Sequence, residues 1–367
     1  MHALTTLAAV WYTVGLWPVA KTESLLFAGQ ANVSGACPCV VEMHITASAG
    51  LGHRLTEWLM GARLAAEINC TLMPPNQTLL FGAGTHGAYL DLASLLFDAR
   101  DSIALPAAQS FSAAPWRTYA VEIPLSRELQ NITRDVRRCH ARFQFHSRAC
   151  NNGIDKWCFQ SQWTFAPAIM HEFRTRFMER VPRTYCTNIT AAITVHLRVG
   201  DLVVNWGIAY YRAVFASVVA VLARNNLHHR PFMFVQECAG CAPNSLHASH
   251  HAMFHRICAD LQLTCRFEPH LGVYESLRHM VCTELLVTSG SSFSMIAAHI
   301  TNAPVVFVRN KDKKCYACES APWNALPALD GRLSPLELTK LDDLLRIRLQ
   351  ARRLRGVSNA TALNLLI

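Results

Sequence analysis

Residues Ala191-Ala192-Ile193-Thr194-Val195-His196-Leu197-Arg198-Val199-Gly200-Asp201 decide the fold. The first five are small or β-branched, as in a short strand covered on both faces. Polar groups gather where the strand ends, and in an open α/β sheet that end is where ligands bind. An arginine there presents a planar fork of donors suited to phosphate or carboxylate. Downstream the pattern alternates regularly. A helix is expected over 210–224, a strand over 232–236, a helix over 246–261 and a strand over 264–267. A helix over 273–282, a strand over 285–288, a turn and helix over 291–301 and a strand over 305–308 follow. Strands alternating with helices predict a mainly parallel sheet covered on both faces.

Upstream, Val40 to Ala47 reads as a first strand, followed by Gly50-Leu51-Gly52-His53-Arg54. From Arg54 to Ile68 the apolar residues Leu55, Trp58, Leu59, Ala62, Leu64, Ala65 and Ile68 recur at close to helical spacing. Strand, glycine loop and helix make a second Rossmann-like opening. Residues 75 to 165 carry glycine-rich turns, a short helix near 90–96 and a cysteine-bearing segment from Cys139 to Cys158. The leucines at 336, 338, 341, 344 and 345 make 334–355 a helix that packs back on the body. The expected organisation is an N-terminal signal or anchor plus stem (1–36), an acceptor-side domain (37–185), a donor-binding domain (186–332) and a C-terminal helix and tail (333–367).

With 367 residues, 51% hydrophobic and 16% charged, the chain has material for two cores and is not a disordered one. Its net charge of +9 comes partly from Arg346 to Arg355, and no basic–aromatic module for nucleic acid is visible. The uncharged run from residue 3 to 19, followed by Lys21, reads as a secretory signal or short signal anchor. A buried N-terminal helix is the other reading. Sequons at Asn32, Asn69, Asn76, Asn131, Asn188 and Asn359, together with 14 cysteines, point to an oxidising secretory lumen. Any membrane contact is expected through the N-terminus alone. Cys150 with Cys158, Cys258 with Cys265, and Cys238 with Cys241 are the close candidates for disulfides.

Three constellations carry chemistry. Gly50 and Gly52 at a helix start let backbone amides approach an anion, with His53 and Arg54 beside them. The third glycine of a dinucleotide fingerprint is absent, since position 55 is Leu. Arg198 follows the decisive strand, read as Ala191 to Leu197. Asp201 could hold it, cap the next helix or orient a substrate hydroxyl. His196, within the strand, reads as a hydrogen-bonded positioning residue. Thr288-Ser289-Gly290-Ser291-Ser292-Phe293-Ser294 follows another buried strand and offers hydroxyls and amides at a helix start, either as a phosphate cradle or as a plain serine N-cap. Glu275 opens the preceding helix and could accept from a ribose or a base edge. His247, His251 and His255 share one helical face and read as polar helix surface rather than a zinc site. The Cys315-x-x-Cys318 spacing is likewise read as disulfide chemistry. No metal site or resident cofactor is expected.

Taken together, these motifs resemble the inverting GDP-fucose-dependent fucosyltransferases, the superfamily of α1,2-, α1,6- and protein O-fucosyltransferases. The likeness lies in the glycine loop at Gly50 to Arg54, the His-x-Arg-x-Gly-Asp stretch at His196 to Asp201 and the Ser-Ser-Phe turn at Ser291 to Phe293. It implies two Rossmann-like domains facing across a cleft, the GT-B architecture, and metal-independent transfer of fucose from GDP-fucose to a glycan or protein hydroxyl. It also implies that Arg198 neutralises the leaving diphosphate, that Ser291, Ser292 and Phe293 line the phosphate and fucose site, and that Glu275 contacts the nucleoside. The chain departs from the family at Val199, where many members have a second arginine, and at Trp206, where some have a glutamate base. Asp201, Glu57 and His53 therefore stand as alternatives for the base, beside a reaction driven mainly by departure of the leaving group. The rival readings are a transferase using another nucleotide sugar and a catalytically silent secretory binding protein.

Overall fold

The computed structural model describes residues 39–45, 51–68, 70–73, 117–121, 141–146, 167–181, 183–186, 193–198, 207–237, 246–268, 271–289, 291–308, 324–325, 327 and 330–357. The apolar N-terminal run, the stem, all six sequon asparagines, Gly50, Asp201 and Trp206 lie outside these residues. So do the helix expected near 90–96 and the Cys150/Cys158, Cys238/Cys241 and Cys315/Cys318 pairs.

Two parallel sheets organise the chain. The first contains β1 (Cys39–His44), β2 (Thr71–Leu72), β3 (Arg117–Val121) and β4 (Ala141–His146), in the order β2-β1-β4-β3. Helix α1 (Leu51–Ile68) connects β1 to β2, and α2 (Pro167–Arg180) with a 3₁₀ turn (Arg183–Cys186) leads out of this half. β1 stops at His44, short of the expected Ala47, and α1 begins three residues before Arg54. β3 and β4 occupy the stretch that sequence pattern left unassigned.

The second sheet contains β5 (Ile193–Arg198), β6 (Phe232–Glu237), β7 (Cys265–Glu268), β8 (Leu285–Ser289), β9 (Val305–Val308) and β10 (Asn324–Ala325). Its order is β10-β9-β8-β5-β6-β7, and every pairing is parallel. The connecting helices are α3 (Ile208–Arg224), α4 (Leu246–Asp260), α5 (Val273–Cys282) and α6 (Ser292–Ile300), and α7 (Pro335–Val357) closes the chain. Counted from β5, this is the doubly wound order 3-2-1-4-5-6 run from one edge to the other. The chain is thus an α/β protein with two Rossmann-like sheets.

Strand alternation gives each face of the second sheet its own partner. Ile193, Val195, Phe232, Phe234, Leu285 and Val287 join Val214, Phe215 and Val218 of α3, Phe254 of α4, and Leu341 and Leu345 of α7 in one core. A fully buried side chain of this size contributes about 1.5–3 kcal/mol. On the other face the Thr194 hydroxyl donates to the His279 carbonyl of α5 at 3.0 Å. The Thr194 amide donates to Thr283 Oγ1 at 2.9 Å. That face also carries α6, and α1 and α2 of the first half pack directly on α6. The result is a helix whose residues 293–300 are all buried.

Three disulfides fall within the described residues. Cys258–Cys265 closes the turn between α4 and β7, as its short spacing suggests. Cys39–Cys70 joins the start of β1 to the approach of β2, and Cys186–Cys282 joins the 3₁₀ turn to the end of α5. No helix among the described residues is long and apolar enough to cross a membrane.

One glycine is fixed by geometry. Gly331, just ahead of α7, has φ +85°, and a Cβ there would collide with the Tyr210 carbonyl. Gly331→Ala is expected to cost about 3 kcal/mol through left-handed strain and backbone displacement. Gly272→Ala, where a Cβ would meet nothing within 4 Å, is expected to stay within about 0.5 kcal/mol. Urea unfolding midpoints of the two variants check the contrast.

Candidate functional site

The direction of winding reverses beside β5. From β5 the chain moves outward through β6 to β7, then returns to place β8 on the other side of β5 and continues to β9 and β10. A crevice opens outside the carboxyl ends of the two strands flanking such a switch point. β5 carries the His-x-Arg motif, and the Ser-Ser-Phe motif follows β8 at the start of α6. His196 is in register with Thr288. Beyond that pair β5 ends at Arg198 and β8 at Ser289. Two motifs almost a hundred residues apart are therefore neighbours at the ligand end of the sheet.

They also touch. The ring of His196, fully buried, meets the edge of Phe293 at a centroid distance of 5.9 Å. His196 thus positions the first turn of α6 by ring packing. Phe293 is buried against it rather than lining an open surface. Ser291 is the N-cap of α6: its hydroxyl accepts from the Ser294 amide at 3.2 Å and lies 2.9 Å from Ser294 Oγ. The capping reading therefore describes the Ser291 side chain. With the residue-294 amide capped, the amides of residues 292 and 293 are the donors that helix geometry leaves for an anion.

The glycine-loop residues divide. Gly52 lies inside the first turn of α1, not in a loop, and its carbonyl accepts the Thr56 hydroxyl at 2.7 Å. Arg54, beside Gly52 in the same turn, has 0% exposure. A guanidinium so placed is an internal cation that needs pairing within the protein. His53 Nε2 lies 3.3 Å from Glu57 Oε1, with side-chain exposures of 24% and 0%. Two of the three base alternatives are thus one pair, one turn apart on α1. The first sheet also reverses between β1 and β4, so α1 begins at the ligand end of its own switch point.

Glu275 lies in the first turn of α5 and accepts from Arg278 Nη1 at 3.0 Å, with its side chain 40% exposed. Arg278 Nε donates to the Tyr185 carbonyl, and its guanidinium stands 5.9 Å from the Tyr185 ring centre. Tyr274 meets the same ring edge-on at 5.7 Å. Sequence reading missed this cluster because its members come from segments about ninety residues apart. Burial pushes the neighbouring His279 imidazole below its ordinary range. Glu275 opposes that shift, Arg278 adds to it and Glu268 opposes it.

On α4, the rings of His251 and His255 pack on Phe267 of β7, at 4.5 and 4.0 Å. Among the described residues no group of three or more His, Cys, Asp or Glu could hold a metal ion. A groove of about 650 Å³ opens on the solvent side of α3, between α4 and the start of α7. Its lining residues, Ala213, Ala216, Arg256 and Leu338 among them, include none of the motif positions.

No family model and no curated protein matches the chain. Three solved structures are similar to it in trace. The E. coli heptosyltransferase WaaC with ADP is 10% identical at TM-score 0.37, covering 84% of this chain and 99% of its own. The E. coli ADP-heptose lipopolysaccharide heptosyltransferase II is 11% identical at TM-score 0.40, covering 85% and 99%. POFUT1 in complex with GDP-fucose is 11% identical at TM-score 0.36, covering 76% and 99%. Likeness at this level assigns no activity to the chain.

Proposed function

We propose that the chain is an inverting glycosyltransferase that takes its sugar from a nucleotide donor, with GDP-fucose as that donor and a glycan or protein hydroxyl as acceptor. The observation that carries this reading is the meeting of the His-x-Arg and Ser-Ser-Phe motifs at the switch point of a doubly wound sheet. A diphosphate in that crevice would have the end of β5, with Arg198, on one side and the first amides of α6 on the other. The acceptor oxygen attacks C1 of the sugar from the face opposite the phosphate. The C1–O bond breaks as the new one forms, its electron pair leaves on the diphosphate, and the acceptor proton passes to a base. Charge grows on the leaving group, so fixed donors there act on the transition state more than on the bound donor.

The six sequons and the disulfides support a secretory lumen as the compartment. A thermal-shift screen of the secreted chain against GDP, GDP-fucose and UDP sugars tests the donor. Ligand at a hundredfold its Kd stabilises the native state by about 2.7 kcal/mol, and selective stabilisation by GDP and GDP-fucose is expected. Preference for UDP sugars would reassign the donor. No shift with any nucleotide would remove the transferase reading.

A further inference from the structure

We propose, resting on the transferase reading, that His53 is the base that deprotonates the acceptor and that Glu57 is the carboxylate that orients it. Burial separates the two base alternatives that lie on α1, Glu57 and His53. Glu57 has no exposed surface, so it cannot itself reach an incoming hydroxyl. His53, with a quarter of its side chain exposed and Nε2 turned to Glu57 at 3.3 Å, can. A carboxylate fixed behind an imidazole holds the ring in one tautomer and stabilises the imidazolium formed when the ring takes a proton. Nε2 faces the Glu57 carboxylate, and the imidazole takes the proton that leaves the acceptor hydroxyl.

The pair is also built to hold still. Thr56 bonds back to Gly52 within the same turn. Leu55, Trp58 and Leu59 are buried on either side of Glu57, and the Trp58 ring leans on Phe173 of α2 at 6.1 Å. α1 lies against α6, the helix that begins at the serine turn. The imidazole therefore sits at the ligand end of the first sheet, on the helix that packs against the donor-side element. An attacking oxygen must come from the side opposite the leaving diphosphate, and the first sheet is the half of the chain that the donor crevice does not use.

The test uses the full secreted chain with GDP-fucose, water standing in for the acceptor, and reads both GDP release and stabilisation by GDP. In His53→Ala, kcat for GDP release falls on the order of a hundredfold. The donor KM and the GDP-induced shift stay those of the wild type, and added imidazole restores part of the rate. In Glu57→Gln, kcat falls on the order of tenfold with the same unchanged shift. Wild-type rates in His53→Ala, a loss that imidazole does not restore, or no GDP release from a wild-type chain that binds GDP would each overturn the assignment. A wild-type chain that no nucleotide stabilises would instead sink the transferase reading on which it rests.

Discussion

Replacing Arg198 by alanine is expected to lower kcat for sugar transfer by about 10²–10³, corresponding to roughly 3–4 kcal/mol of lost transition-state stabilisation. Arg198 is the last residue of β5, the strand that pairs with β8 at the switch point. On the proposed reading, a cation there would meet a diphosphate whose charge increases as the sugar–oxygen bond breaks. Most of its effect therefore belongs in kcat, with a smaller rise in donor KM. Lysine at this position keeps the charge and loses the planar fork, so Arg198→Lys recovers only part of the rate. Parallel measurement of kcat and KM for the two variants checks the argument. A wild-type kcat in Arg198→Ala would remove the arginine from the reaction. An equal loss in kcat/KM with kcat unchanged would make it a binding residue only.

The second sheet was legible because its signals are local. The sequence pattern places Val305–Val308 and Val273–Cys282 to the residue, since a four-residue apolar run with three valines and a helix preceded by Gly272 leave little room for another placement. The first sheet was not. β2 has two residues, and β4 pairs with β1 from about a hundred positions away, a separation at which periodicity carries no information. The same divide runs through the site. Both switch-point motifs are visible in the sequence: the pattern puts His196 on a strand and Ser291 to Phe293 at a helix start, while β5 runs one residue past its expected end, to Arg198. That His196 would meet Phe293, that Ser291 would turn its hydroxyl to Ser294, and that Arg54 would be fully buried depend on packing between elements. His53 and Glu57 share a helix face by spacing alone. Only burial separates their roles, and burial is fixed by α2 and α6 covering α1.

Cutting Cys186–Cys282 is expected to destabilise the chain more than cutting Cys258–Cys265, although both bridges end on α-helices of the same half. The two bonds close loops with sequence separations of 96 and 7. In the chain-entropy description a loop on the order of 100 residues is worth about 4.7 kcal/mol, and one of about 8 residues roughly 2.5 kcal/mol. Packing does not blur the comparison, because Cys282 and Cys258 are both 5% exposed, so alanine leaves a similar void at each. The long bridge also fastens the 3₁₀ turn that follows α2 to the end of α5. The carbonyl of the adjacent Tyr185 holds Arg278, which in turn holds Glu275. The Cys186→Ala/Cys282→Ala variant should therefore unfold at a clearly lower temperature than Cys258→Ala/Cys265→Ala and, on the proposed donor reading, should also lose part of any stabilisation by GDP. Equal midpoints would mean that α2 and the 3₁₀ turn are held against α5 by packing alone. In that case the Tyr185 cluster, not the disulfide, is what fixes Glu275.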